Sequence, residues 1–268
     1  MPNQDGPQIT VVGARGFIGS ALMERSDVTA VDTTKLKGLA AQVENKALVI
    51  AASRGPVTSL ECQAYKDNLK LIDVLLHTNP SRVVYLSTDT VYPFIQSINE
   101  TTPPQPCSAY ADMHLERERR LLSAFQSRIV IARLSQVYGE RDRHNAYGPM
   151  RMVRSAIDKG VIHIFGQGEE QRDHIALKDA VYVIEQLCRT VDITGVVNIA
   201  SGRSVSFGRL AEIVSDLVPC RIDYVSRQQP ITHRSLDISR LMSHVQGFHP
   251  IPVEVGIADM IKRIKQSV

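Results

Sequence analysis

The run Gly13-Ala14-Arg15-Gly16-Phe17-Ile18-Gly19 constrains this chain more than any other stretch. It follows four β-branched residues, Ile9-Thr10-Val11-Val12, and opens a helical pattern over Ile18 to Glu24. A strand feeding a glycine turn that opens a helix is the context in which spaced glycines bind a dinucleotide. Gly13 permits the tight turn, Gly16 removes the Cβ that would hold a pyrophosphate off the backbone, and Gly19 lets helix and strand pack closely. The first N–H groups of the helix and its positive dipole end then face the phosphates.

The rest of the chain reads as the fold that such a turn needs. Short apolar runs at Val28 to Val31, Ala47 to Ala51, Val83 to Leu86 and Ile129 to Leu134 alternate with helical patterns around Leu36 to Val43, Tyr65 to His77 and Ser108 to Phe125. Ser108 is the expected N-cap of the last of these. The alternation predicts an α/β, Rossmann-like, doubly wound parallel sheet with helices on both faces. After Tyr138 the pattern loosens. Helices are expected at Met150 to Lys159, Leu177 to Arg189, Phe207 to Leu217 and Glu254 to Lys265. Strands are expected at Val161 to Phe165 and Gly195 to Ala200, with two further short strands in the tail. Residues 177–200 are expected to return to the main sheet. The domain reading is therefore residues 1–135 plus 176–200 for the dinucleotide-binding unit, and 136–175 plus 201–268 for a small discontinuous substrate lobe.

Composition narrows the function classes. A net charge of +3 with no basic block gives nucleic-acid binding little support. No apolar run reaches the length of a membrane span. Cys62, Cys107, Cys188 and Cys220 are far apart and form no C-x-x-C pair, which argues against a disulfide framework or a zinc site and fits a reducing cytoplasm.

Asp32 closes the second strand 13 residues after Gly19. A carboxylate there can accept hydrogen bonds from an adenosine ribose diol and would repel a 2′-phosphate, which favours NAD. Arg15, Lys35 and Lys37 lie close enough in sequence to meet a phosphate, so NADP stays open. Further on, the chain carries Leu86-Ser87-Thr88-Asp89-Thr90-Val91-Tyr92-Pro93, then Pro106-Cys107-Ser108-Ala109-Tyr110 with His114 four residues later. Beyond these lie Arg133-Leu134-Ser135-Gln136-Val137-Tyr138-Gly139 and the block from Phe165 to Asp173 ending in Arg172-Asp173. Tyr110 and His114 share one helical face at i, i+4.

The G-x-x-G-x-x-G spacing together with these segments resembles the extended short-chain dehydrogenase/reductase superfamily, in its NAD-dependent sugar epimerase/dehydratase family. The resemblance runs from about Ile9 to Lys265 and is strongest in the glycine loop and the G-x-G-x-x-x-R-D block. It implies cofactor contacts from Gly13, Arg15, Gly16, Phe17, Ile18 and Gly19 in the first turn. Asp32, Ala51, Ala52, Ser87, Tyr110 and His114 complete the implied cofactor set. It implies substrate contacts from Arg54, Thr88, Asp89, Gln136 and Arg172, with Arg172 on a nucleotide diphosphate. Asn68 matches the family's helix asparagine that supports an active-site water network. Tyr110 falls on the acid/base tyrosine and Thr88 on the hydroxyl that orients the reacting oxygen.

Three departures matter. Pro93 stands for a glycine and Gln136 for an asparagine. His114 stands where the family has a lysine that holds the nicotinamide ribose and lowers the tyrosine pKa. Histidine can donate to the ribose, but it is only partly charged near neutral pH and has a shorter reach. Three readings follow: His114 substitutes functionally, a different base or a reduced rate operates, or the protein binds nucleotide without redox chemistry. Under the first, activity is expected to follow the titration of His114.

The implied activity is hydride transfer on a nucleotide sugar, as an epimerase or a ketosugar reductase. Thr90, where the dehydratase pattern has Glu, disfavours dehydration. The alternatives are an inactive NAD(P)-binding regulator or scaffold of the same fold, and an enzyme on a non-nucleotide substrate. Leu115, Leu121, Leu122 and Phe125 on the long helix give a resemblance-based expectation of a homodimer.

Overall fold

The computed structural model describes residues 7–31, 38–53, 60–142 and 148–266. From the N-terminus the elements are β1 (Ile9–Val12), α1 (Phe17–Leu22), β2 (Val28–Ala30), α2 (Leu39–Val43), β3 (Ala47–Ile50), α3 (Cys62–Leu75), β4 (Arg82–Thr88), α4 (Ala109–Phe125) and β5 (Ile129–Leu134). They continue with β6 (Gln136–Tyr138), α5 (Gly148–Lys159), β7 (Val161–Phe165), β8 (Gln171–Ala176), α6 (Leu177–Arg189), β9 (Gly195–Ile199), β10 (Ser204–Ser206), α7 (Phe207–Leu217), β11 (Arg221–Val225), α8 (Ser239–His244) and α9 (Val253–Gln266).

Six strands form one parallel sheet in the order β2-β1-β3-β4-β5-β9. Both faces of the central strands are covered, which is why β1, β3, β4 and β5 are buried and largely apolar. Successive residues divide between the faces: Val11, Val49 and Val84 pack toward α6, whereas Val12, Ile50 and Val83 pack toward α2, α3 and α4. Chain order reverses between β1 and β3, and ligands of open parallel sheets bind beyond the strand ends at such a switch point. Two turns meet there, Gly13–Gly16 after β1 and Ala51–Ser53 after β3.

Two of the glycines are required by space. Gly13 has φ +97°, and a Cβ on it would lie 2.7 Å from the backbone nitrogen of Ala52. A Cβ on Gly19 would lie 2.1 Å from the carbonyl oxygen of Gly13. The two end turns can touch, and α1 can lie under the first of them, only without those methyl groups.

A second, smaller apolar core lies around α5, α7, α9, β7 and β11, with Met150, Val153, Ile164, Leu210, Val214 and Ile257 at its centre. Its strands are short. β10, β8 and β6 make a three-stranded sheet and β11 pairs with β7.

The elements read from the sequence are present, with edges shifted by a few residues; α1, for example, runs over Phe17–Leu22 and not Ile18 to Glu24. The tail needs a correction. Its described residues hold one strand, β11, and where a second was expected the chain forms an isolated bridge at Leu236 and the helix α8. The expected N-cap is in place, with Ser108 Oγ accepting from the Ala111 N–H at 3.2 Å. The apolar residues of α4 proposed for a subunit face are covered largely by the chain itself: Leu115, Leu121 and Phe125 are buried, and Leu122 is half-buried. Among the described residues, no helix is long and apolar enough to cross a membrane.

Candidate active site

A cleft of about 530 Å³ opens at the switch point. Its inner wall is Gly16, Phe17 and Ile18 of the first turn with Ala51, Ala52 and Ser53 of the second; its outer wall comes from β6, α5 and β8. Between them stand Thr88, Asp89, Tyr110 and His114. The three segments picked from sequence, 13–19, 86–93 and 110–114, thus converge on one space because β1, β3 and β4 end side by side.

Gly13, Arg15 and Gly19 are not on the cleft wall; Gly13 and Gly19 shape the turn from behind, and Arg15 is exposed. Asp32, Lys35, Lys37 and Arg54 lie outside the described residues. Ser87 lines the cleft, but its hydroxyl donates inward to Glu118 Oε1 at 2.5 Å. Asn68 is buried, not an exposed helix position, and its Nδ2 donates to the Ala64 carbonyl at 2.9 Å. Ser53, on the cleft wall, belongs with Ala51 and Ala52 to the small-residue segment that follows β3.

Thr88 ends β4. Its Oγ1 accepts from the Thr90 N–H at 3.2 Å and lies 3.1 Å from Thr90 Oγ1, so it closes the turn over 89–91 while facing the cleft. Tyr110 is half-buried on the first turn of α4, its ring tilted against His114 at 4.6 Å between centroids. Burial pushes the Tyr110 hydroxyl up to about 12; the Arg117 charge opposes that rise and Asp89 adds to it.

His114 is buried. Its Nδ1 lies 2.6 Å from the Tyr85 hydroxyl, and its Nε2 has no protein partner. Desolvation first, and the neighbouring Arg117 second, hold its pKa well below the ordinary histidine value. Activity that followed the titration of His114 would therefore change well below the pH at which an ordinary histidine titrates. A neutral imidazole with no room for a second charge does not titrate near neutrality.

Cationic groups gather on the far side of the cleft. Three N–H groups of Arg172 are held by the Gln171 carbonyl (2.8 Å), the Thr232 carbonyl (2.6 Å) and Thr232 Oγ1 (2.8 Å), out of the five that a guanidinium carries. Arg234 donates to the Tyr92 carbonyl at 3.0 Å, and its NH1 stands 3.7 Å from Asp89 Oδ2. Phe94 lies between the two guanidiniums, 5.1 Å from Arg172 and 4.3 Å from Arg234. Burial raises the pKa of Asp89, against the pull of both arginines. Arg234 and Phe94 were not anticipated. The available signal for Phe94 was its position directly after Pro93.

Among the described residues, the outer wall holds polar atoms without protein partners, Gln136 Oε1 and both ring nitrogens of His174, whereas the Tyr138 hydroxyl lies against Gly256 of α9. Such atoms in a cleft are ligand-facing candidates, since leaving them bare costs about 1–3 kcal/mol each. His174 is 1% exposed, and burial drives its pKa down to about 3. The unfolded chain binds a proton here below about pH 6.5 and the folded chain does not, so stability falls as pH drops. The expected contribution is a loss of about 3 kcal/mol between roughly pH 7 and pH 4.5. Asp173 is pushed up to about 6 by burial, which works in the opposite direction. His174→Phe isolates the histidine. Denaturant melts of both proteins are expected to show the variant more stable, with a gap that widens steadily as pH falls. A gap independent of pH would mean that the folded imidazole does take up the proton.

The inner wall suits a dinucleotide. The cradle tolerates no Cβ at Gly13 or Gly19, and the buried His114 Nε2 beside Tyr110 lacks only a ligand partner.

The sequence model of the NAD dependent epimerase/dehydratase family matches residues 9–200. A GDP-L-fucose synthase of Sinorhizobium fredii is 24% identical over 98% of this chain and 97% of its own length. An ADP-L-glycero-D-manno-heptose-6-epimerase of Alkalilimnicola ehrlichii is 26% identical over 78% of this chain and 80% of its own. Among solved structures, a UDP-N-acetylglucosamine 4-epimerase from Methanobrevibacter ruminantium superposes with a TM-score of 0.83 at 24% identity, covering 98% of this chain and 99% of that one. MoeE5, in complex with UDP-glucose and NAD, has a TM-score of 0.83 at 23% identity, covering 97% and 99%. Turn, sheet order and sequence match agree, and the chain belongs to the NAD dependent epimerase/dehydratase family, enzymes of the extended short-chain dehydrogenase/reductase type that work with NAD.

Proposed function

We infer that this enzyme acts on a nucleotide sugar, as an epimerase or a ketosugar reductase, with Tyr110 as the acid/base group. One observation carries the reading. Thr88, Tyr110 and the unpartnered Nε2 of His114 open on the same cleft, and Arg172 and Arg234 stand across it. Bound NAD would supply a hydride acceptor and donor there. Gly16, Phe17, Ile18 and Ala51–Ser53 would hold it, and His114 would donate a hydrogen bond to it. Thr88 would orient the reacting oxygen of the sugar, and Tyr110 would take or return the proton of that oxygen. The two guanidiniums fit an anionic group such as a diphosphate, where planar, permanently charged donors act best. Gln136 and His174 would meet polar atoms of the same ligand.

A binding-only reading has one observation in its favour: His114 is neutral, so position 114 brings no cation to Tyr110. Calorimetry with NAD and NADP, each with and without UDP-, GDP- and dTDP-sugars, separates the readings when reduced cofactor and sugar products are followed together. Sugar-dependent reduction or a changed sugar is the expected result. Tight cofactor binding without chemistry across the panel would favour the binding protein or a substrate of another class.

A further inference from the structure

Arg117 is 0% exposed and forms no ion pair among the described residues. One NH2 hydrogen goes to the Ala52 carbonyl at 2.9 Å, NH1 rests 3.9 Å from Met113 Sδ, and Nε has no partner. An unpaired buried guanidinium is costly. A carboxylate is at hand in Glu118, the next residue, yet it is turned away to Arg133 and Ser87. Among the described residues, the charge of Arg117 therefore has no carboxylate partner. It faces Tyr85, with its guanidinium carbon 5.2 Å from the ring centroid and close enough to bear on the hydroxyl. On α4, Tyr110, His114 and Arg117 follow at i, i+4 and i+7, one face of the helix.

A single proton lies between the Tyr85 hydroxyl and His114 Nδ1. A cation beside the tyrosine oxygen attracts its lone pairs and turns its hydrogen away, toward Nδ1. Tyr85 then donates, Nδ1 accepts, and the imidazole proton sits on Nε2, the nitrogen left free for a ligand. The same cation disfavours a second proton on the ring.

We propose that Arg117 is a positioning residue that supplies the fixed positive charge of the reaction centre, setting the tautomer of His114 through Tyr85 and stabilising the phenolate of Tyr110 through space. The proposal rests on Tyr110 being the acid/base group. It divides between two side chains the work that the family resemblance gives to one lysine: His114 makes the hydrogen bond, and Arg117 brings the charge.

Long-range ¹H–¹⁵N spectra of the free, full-length protein, labelled at histidine, test the first half without cofactor. His114, assigned by comparison with His114→Gln, is expected to be a neutral Nε2–H tautomer from about pH 6 to 9. In Arg117→Met it is expected to show mixed tautomers, and its titration is expected to move upward while staying below that of an ordinary histidine, because burial, the larger cause of the lowering, remains. Arg117→Lys should restore the wild-type spectrum. Tyr85→Phe, which leaves Arg117 in place, should lose the Nε2–H preference. If Arg117→Met does not fold, Arg117→Gln removes the charge and keeps hydrogen-bonding capacity. An unchanged His114 tautomer and titration in a folded, uncharged variant would overturn the proposal. In turnover, the rising limb of kcat/KM over about pH 6 to 9 is expected to be displaced upward by about one pH unit in Arg117→Met, with roughly tenfold lower activity at neutrality, and to return in Arg117→Lys. An unmoved limb would also overturn it. If Tyr110→Phe retains turnover, the acid/base assignment fails on its own, and the histidine spectra still decide the relay.

Discussion

Replacing Tyr110 with phenylalanine is expected to lower turnover by roughly 10²–10⁴-fold and to leave NAD affinity within about threefold of wild type. Only the hydroxyl is removed, and the ring that packs on His114 at 4.6 Å remains. The pH profile makes the test specific. The hydroxyl of the free protein is pushed up to about 12 by burial, so at neutral pH only a small fraction is ionised. Over about pH 6 to 9 the base-catalysed direction should therefore gain with rising pH, approaching tenfold per unit, and the variant should be flat. His114 adds no break in this range, because its own titration lies well below the ordinary value. Full activity in Tyr110→Phe with any nucleotide sugar turned over by wild type would remove the tyrosine from the mechanism.

The second large effect is on stability. Glu118 is 1% exposed and accepts three hydrogen bonds, from Ser87 Oγ at 2.5 Å, Arg133 Nε at 3.0 Å and Arg133 NH2 at 2.6 Å. Arg133 in turn lies 4.5 Å over the Tyr92 ring, and the Tyr92 hydroxyl donates to Asn198 at 2.9 Å. Glu118→Ala would leave Arg133 as a buried guanidinium without its carboxylate. The expected loss is about 3–5 kcal/mol, seen as a lower denaturant midpoint and a melting point reduced by roughly 10 °C. Removing both charges, as in Glu118→Leu with Arg133→Met, is expected to restore most of that loss, since the desolvation cost leaves with the pair. A loss below about 1 kcal/mol in Glu118→Ala would mean that water or a rearranged side chain reaches Arg133. Because α4 carries Tyr110, His114 and Glu118 together, the alanine variant should also lose activity before it loses fold.

What was legible in the sequence is what local chemistry dictates. The glycine turn follows from spacing, since only residues without a Cβ fit where Gly13 meets Ala52 and Gly19 meets Gly13. The parallel sheet follows from central strands that are largely apolar, because both of their faces are covered. The shared face of Tyr110 and His114 follows from helical spacing alone. Short strands such as β6 and β10, three residues each, carry no period to read and are defined by their partners.

The electrostatics of the site belonged to the tertiary structure. By sequence His114 is a residue poised to titrate near neutrality; burial and Arg117 make it a neutral donor. Arg117 and Arg133 look alike in the sequence, but the fold gives Glu118 to Arg133 and leaves Arg117 without an ion pair among the described residues. Arg234 meets Asp89 and Phe94 across a long sequence separation, a pairing no local pattern announces. Backbone conformation is set by neighbours along the chain and can be read in order. Charge, desolvation and ion pairing are set by neighbours in space, and only the packed chain decides those.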